Sequence, residues 1–132
     1  MTEQEFIAKA TELIKLMVNT IADKEYTKLV SSIPPQASWS SFNDAEPTPE
    51  NDCLGFGQWL DEQLAIWEEY EDKKFVVDRF DESCLDEIEL EDDNTSFVTY
   101  NPTSFGDRLD FWFEIDFTVE GEQITAIFDV NI

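Results

Sequence analysis

The stretch FWFEIDFTVEGEQITAIFDVNI, residues 111–132, decides the fold because apolar and polar side chains alternate on both sides of a glycine. Alternation with a period of two is typical of a strand with one buried and one solvent-facing side. Gly121 can supply the positive φ that a tight turn requires. The sequence therefore predicts a hairpin of two long strands, at about 109–120 and 123–131, with an apolar inner face and an acidic outer face.

The N-terminal half has helical spacing instead. Thr2 and Glu5 have the spacing of an N-terminal capping box. Apolar residues then recur at steps of three or four, which places them on one helix face; they are Phe6, Ala10, Leu13, Ile14, Met17 and Ile21. With Asp23 as the cap of a second stretch, this predicts helical structure over about 2–32, which must end before Pro34.

A second helix is predicted over about 52–71. Its apolar side comprises Phe56, Trp59, Leu60, Leu64, Trp67 and Tyr70. The intervening residues 33–51 are rich in Pro, Ser and Asn, which predicts a loop. Three further apolar or β-branched stretches predict strands at about 74–80, 87–91 and 96–100.

Helices followed by strands predict an α+β fold, with the helices packed on a C-terminal antiparallel sheet of about four strands. This element order resembles the cystatin-like and nuclear-transport-factor-2-like folds. The resemblance implies a cone-shaped molecule with a pocket between sheet and helices.

The length of 132 residues suits a single domain, 1–132. The sequence shows no signal peptide, which would have a basic stretch followed by an apolar core, and no apolar run long enough to span a membrane. We therefore expect a cytoplasmic protein without membrane contact. Cys53 and Cys84 have neither CxxC spacing nor a neighbouring His, so we expect two buried free thiols.

The sequence contains no His, which removes the commonest general base and every His-dependent nucleophile or metal ligand. A carboxylate pair, or a metal held by carboxylates, would remain for an enzyme. A calcium-loop template counted from Asp81 fails, because Leu85 and Asp86 stand where a ligand and a glycine should be. We expect no catalytic activity, no cofactor and no metal, although an irregular weak cation site within 86–93 stays open.

The acidity is regional. Of 31 acidic residues, 26 lie in residues 44–132, together with four of the eight basic residues. Residues 81–93 hold a cluster of eight acids without a base, and crowding like charges costs stability. Trp112 stands among acids on the predicted outer face of the hairpin, as an aromatic hot spot would. The candidate partner-binding residues are Asp81, Glu82, Asp86, Glu87, Glu89, Glu91, Asp92, Asp93, Trp112, Glu114 and Asp116. The alternatives are a solvated acidic loop and a Trp112 covered by the N-terminal helix or by the 33–51 loop.

Such a surface repels nucleic acid but attracts proteins that bind nucleic acid, because charge complementarity steers association. In size, acidity and lack of catalytic groups, the chain resembles the immunity proteins of bacterial contact-dependent inhibition and related polymorphic toxin systems. The resemblance implies a protein that binds and neutralises a basic toxin domain, in particular a nuclease.

Two other functions stay open. A DNA mimic that inhibits a DNA-binding protein would space its acids along an elongated face. A cone-shaped small-ligand protein would carry a deep apolar pocket beneath the hairpin. For its oligomeric state we expect a monomer or a homodimer formed through the helices, since a dimer through the acidic face would bring like charges together.

Overall fold

Two helices lie against one face of a four-stranded sheet in the computed structural model of the protein, which describes residues 1–29, 38–39 and 49–131. The helices are α1 (Glu3–Ala22) and α2 (Pro49–Glu71), and the strands are β1 (Ser38–Trp39), β2 (Thr95–Tyr100), β3 (Thr103–Ser104), β4 (Asp107–Arg108), β5 (Trp112–Glu120) and β6 (Gln123–Asn131). The main sheet has the order β1-β6-β5-β2. β2, β5 and β6 are antiparallel, whereas β1 pairs with β6 in parallel. The predicted α+β class is confirmed.

The hairpin of β5 and β6 turns at Gly121, where the alternating pattern places it. Glu120 pairs with Gln123, and Gly121 has φ +62°, so a two-residue turn joins the strands. The inner face of the sheet is buried and comprises Val98, Tyr100, Phe113, Ile115, Phe117, Val119, Ala126 and Phe128. The predicted start at 109 is three residues early, because β5 begins at Trp112.

Helix α1 is capped by Thr2, whose hydroxyl oxygen accepts a hydrogen bond from the N–H of Glu5 at 3.1 Å. The helix ends at Ala22 because Asp23 is its C-cap and Lys24 follows with φ +57°. The predicted helical range of 2–32 is therefore interrupted at residues 23–25, and helical structure resumes at residues 26–29. A 3-10 turn at Tyr26–Lys28 follows, and residues 30–32 lie outside the described part.

Helix α2 begins at Pro49, three residues before the predicted start, which corrects the 33–51 loop at its C-terminal end. Proline suits a first turn because its missing N–H has no partner there. Phe56, Leu60 and Leu64 are buried as their spacing predicts, but Tyr70 is 85% exposed. Of the predicted loop, residues 38–39 form β1, and residues 33–37 and 40–48 lie outside the described residues.

The space between the helices and the inner sheet face is filled by aromatic rings. The ring of Phe113 lies 6.3 Å from Phe56 and 5.1 Å from Phe128, measured between centroids, and Phe6 meets Phe117 edge-on at 5.6 Å. All five side chains are at most 1% exposed. Within the described ranges, the site where a cone-type fold would have its ligand pocket is therefore occupied by the core itself.

Residues 74–80 are not a strand, contrary to the prediction. Side chains from three other parts of the chain accept from their N–H groups: Glu68 Oε1 bonds Phe75, Ser104 Oγ bonds Val76 and Asn19 Oδ1 bonds Phe80. The β-branched and aromatic residues of this segment are mostly half-buried, as they would be in a strand. Several of their N–H groups bond to side chains, however, and not to a neighbouring strand.

Residues 87–91 are not a strand either. Leu85 forms one isolated antiparallel bridge with Tyr100, and the chain then follows the edge of β2 irregularly. Cys84 is a free thiol as expected, but it is half-buried and not buried. The side chain of Cys53 lies outside the described part.

Gly57 allows the 3-10 turn to pack against the middle of α2. A Cβ at Gly57 would lie 2.3 Å from Cδ2 of Tyr26, far inside van der Waals contact. The Tyr26 hydroxyl also donates to Asp61 Oδ1 at 3.1 Å, which fixes the ring in place. The glycine therefore serves packing, although glycine within a helix costs about 0.5–1 kcal/mol relative to alanine.

Gly57→Ala should lower the free energy of unfolding by about 1 kcal/mol, because overpacking exceeds the gain in helix propensity. Chemical denaturation measures the change. In a Tyr26→Ala background the ring is gone, and the same substitution should become stabilising. A stabilising effect in the wild-type background would contradict the packing of Tyr26 on this helix.

The β3–β4 hairpin, which the sequence pattern did not predict, places an aromatic residue in a left-handed conformation. Phe105 has φ +49° and Gly106 has φ +85°. Both positive values are typical of a type I′ turn, whose favoured sequence is Asn-Gly. Phe105 is 68% exposed, so little packing offsets its strained backbone.

Phe105→Asn is expected to raise the free energy of unfolding by about 0.5–1 kcal/mol, since asparagine tolerates the left-handed region better than a bulky aromatic residue. The thermal or denaturant midpoint provides the measurement. Phe97→Asn, at another exposed residue but in a regular strand, is the control and should destabilise. Loss of stability in Phe105→Asn would mean that the exposed ring contributes packing.

Candidate functional site

The acidic segment, defined as residues 81–93, lies along the outer edge of β2. Three backbone hydrogen bonds attach it to the sheet: Asn101 N to Cys84 O at 2.9 Å, Asp86 N to Thr99 O at 3.1 Å, and Glu91 N to Thr95 O at 2.8 Å. Ile88 is buried and Leu90 is half-buried, whereas the glutamates beside them are exposed. Apolar side chains thus hold the segment against the core and leave its carboxylates in solvent.

Three of the predicted carboxylates have local hydrogen bonds that fix their positions. The hydroxyl of Ser83, and secondarily its N–H, donates to Asp81 and holds the pKa of that carboxyl below its ordinary value. The hydroxyl of Thr95 does the same for the pKa of Asp93. Asp86 accepts from the hydroxyl of Thr99 on β2. The lowered pKa keeps the carboxylates of Asp81 and Asp93 negatively charged throughout the physiological pH range.

The core also anchors the start of the segment. The Tyr100 hydroxyl oxygen accepts from the N–H of Asp81 at 3.0 Å. Burial is the main cause that raises the pKa of Tyr100 to about 12, so the hydroxyl stays neutral and can serve this bond. The segment is therefore attached at several points along its length.

All eight acids of the acidic segment are exposed, and no basic side chain in the described ranges forms an ion pair with any of them. Five of the eight bases pair elsewhere: Lys9 with Glu122, Lys24 with Asp61, Lys28 with Glu25, Lys73 with Glu71 and Arg79 with Asp23. Ion pairs within the described ranges therefore leave the negative charge of this edge unpaired.

The outer sheet face, defined as the solvent side of β2, β5 and β6, continues from this edge. Strand register places Thr99 beside Glu114 and Glu114 beside Asp129, so two carboxylates stand directly opposite each other across the hairpin. The next row along the strands contains Asp116. Like charges in such positions are destabilising, so this face also carries a cost in stability.

Trp112 lies at the junction of the two acidic regions. It is half-buried on the outer sheet face, whereas α1 packs on the inner face, so the alternative of a Trp covered by the N-terminal helix is wrong. The other alternative, a cover by the 33–51 loop, falls largely on residues outside the described part. Its indole N–H donates to Glu114 Oε1 at 2.9 Å, and that oxygen also accepts from Asn131 at 2.8 Å. A shallow, open depression of about 350 Å³ is lined by Asp86, Thr99, Asn101, Arg108 and Trp112.

The structure thus brings Asp86, Trp112 and Glu114 together, and the remaining predicted acids extend from them along the β2 edge or across the sheet. Asp81, Glu82, Glu87, Glu89, Glu91, Asp92 and Asp93 follow the edge, and Asp116 lies on the sheet. The prediction did not single out Phe97, Ile127 and Asp129, which share the outer sheet face. Only the strand register places them beside the predicted residues.

Within residues 1–29, 38–39 and 49–131, no group of three or more acidic or cysteine side chains is arranged to hold a metal ion. Neither of the helices in this part of the chain is both long and apolar enough to cross a membrane. Comparison with models of known protein families and with curated proteins found no match to the chain.

Proposed function

We propose that the protein is an immunity or antitoxin protein that binds a basic toxin domain, in particular a nuclease, and neutralises it in the cytoplasm. The observation that carries the proposal is the uncompensated acidic segment on the β2 edge, which adjoins an open, acidic sheet face. Eight exposed carboxylates there have no basic partner within the described chain.

Charge complementarity explains why such a surface would be useful to an inhibitor. A basic nuclease cleft attracts an acidic protein over long range, which raises the association rate and favours the correct partner. The backbone bonds to β2 hold the carboxylates in place, so that less conformational entropy is lost on binding. The acidic segment and the outer sheet face lie side by side, so together they could cover the surface around a cleft.

The proposal predicts a basic nuclease domain encoded beside the gene of this protein, and the direct test uses that domain. We expect the protein to abolish the nuclease activity in a stoichiometric titration, with an affinity that falls steeply as the salt concentration rises. Binding without inhibition, or affinity that salt leaves unchanged, would contradict the proposal. If the protein instead displaces duplex DNA from a host DNA-binding protein, it acts as a DNA mimic.

A further inference from the structure

The outer sheet face carries two exposed apolar side chains on either side of one carboxylate. Phe97 on β2 and Ile127 on β6 are each paired with Asp116 on β5 in the strand register. The two apolar side chains are 57% and 53% exposed. Paired residues have Cβ atoms about 4.5–5.5 Å apart, so the three side chains form one continuous row across the sheet.

The Asp116 carboxylate differs from that of Glu114 because it has no hydrogen bond or ion pair to any other described residue. Glu114 already accepts from Trp112 and Asn131. Any partner that covers Phe97 and Ile127 must also remove water from Asp116. Burying an unpaired carboxylate is prohibitively costly, so the partner must supply a cation at this point.

We propose that this row is the central contact of the complex: the partner places one Lys or Arg against Asp116 and apolar side chains over Phe97 and Ile127. The inference rests on the proposed function for the partner being a basic protein. A second copy of this chain does not fit, because it would bring another acidic face against the first.

The flanking apolar contacts determine how strong the central ion pair becomes. They exclude water and lower the local dielectric constant, which strengthens the attraction between the carboxylate and its cation. A polar pair surrounded by contacts that exclude water is the arrangement found at interface hot spots. Asp116 should therefore contribute to affinity only while Phe97 and Ile127 are present.

The test is a double-mutant cycle that measures binding to the toxin domain encoded by the neighbouring gene. The affinity and the dissociation rate are measured with and without Asp116→Asn, both in the wild type and in a Phe97→Thr/Ile127→Thr background. Threonine keeps the strand propensity and is already present on this face at Thr118 and Thr125. We expect Asp116→Asn to weaken wild-type binding at least about tenfold, mainly through faster dissociation, and by less than about threefold in the double-threonine background.

If Asp116→Asn weakens binding by the same factor in the wild type and in the double-threonine background, the inference is overturned, because Asp116 would then act through long-range charge alone. The matched control is Leu16→Gln/Ile66→Gln, which removes similarly exposed apolar side chains from the helices and should leave affinity unchanged. If all sheet-face variants bind like the wild type, this row is wrong while the proposed function stands. If the wild type binds no basic toxin domain, the proposed function fails first and the inference with it.

Discussion

Replacing Phe113 with alanine should lower the free energy of unfolding by about 3–5 kcal/mol. The Phe113 side chain is fully buried near the start of β5. Its ring centroid lies 5.1–6.3 Å from four other aromatic rings, those of Phe56, Tyr100, Phe111 and Phe128. The substitution removes the aromatic contact of α2 with Phe113 and leaves a cavity that the surrounding rings fill poorly.

Equilibrium denaturation with urea measures this loss. Thr118→Ala, on the solvent side of the same strand, is the matched control and should cost no more than about 1 kcal/mol. If Phe113→Ala lowers the free energy of unfolding by less than about 1 kcal/mol, a core built around this ring is contradicted.

Asp78→Ala should lower the free energy of unfolding by about 2 kcal/mol, because one carboxylate organises the β3–β4 turn. Asp78 accepts from the Thr103 hydroxyl at 2.7 Å and from the N–H groups of Phe105 and Gly106 at 2.9 and 2.8 Å. Without it, these donors lose a charged partner and the strained turn loses its support. Asp107→Ala, at an exposed residue of β4, is the control and should stay within about 0.5 kcal/mol of wild type.

The contribution of Asp78 should also depend on pH. Burial alone would raise the pKa of Asp78, but the hydrogen bonds from Gly106, Thr103 and Phe105 outweigh it and leave the pKa below its ordinary value. A lowered folded-state pKa means that the stabilisation is present above about pH 4 and is lost as pH falls through the folded-state pKa. Asp78→Asn should therefore flatten the stability profile below about pH 4. An unchanged acid profile would contradict this assignment.

The main hairpin could be predicted from the sequence because its signals are local. Residues 112–131 alternate apolar and polar side chains, and Gly121 marks the turn. β1 could not be predicted, because two residues are too few to show a period and their partner on β6 is far away in the sequence. The early end of α1 depends on a left-handed Lys24, for which the sequence carries no strong signal.

The candidate site could be predicted only in part, for the same reason. Clustering of acids in residues 81–93 is visible in the sequence, and so is the outward alternation around Asp116. The attachment of the segment to β2 and the row from Phe97 to Ile127 depend on long-range strand register. Residues 74–80 were predicted as a strand because their composition does not reveal that Glu68, Ser104 and Asn19 accept from their N–H groups.

The central claim is that the acidic segment binds a basic partner. Its most direct test compares two triple substitutions that remove the same amount of charge. Glu87→Gln/Glu89→Gln/Asp92→Asn neutralises part of the acidic segment. Glu12→Gln/Glu62→Gln/Glu69→Gln removes the same charge from exposed positions on α1 and α2. Affinity for the basic toxin domain and the free energy of unfolding are measured for both variants.

We expect the acidic-segment variant to bind at least about tenfold more weakly, with slower association, and to be more stable than wild type, because like-charge repulsion is relieved. The helix variant should bind within about twofold of wild type. If both variants lose the same affinity, net charge alone explains binding. If neither variant loses affinity, these charges do not contribute to binding. In either case the acidic segment is not the partner surface.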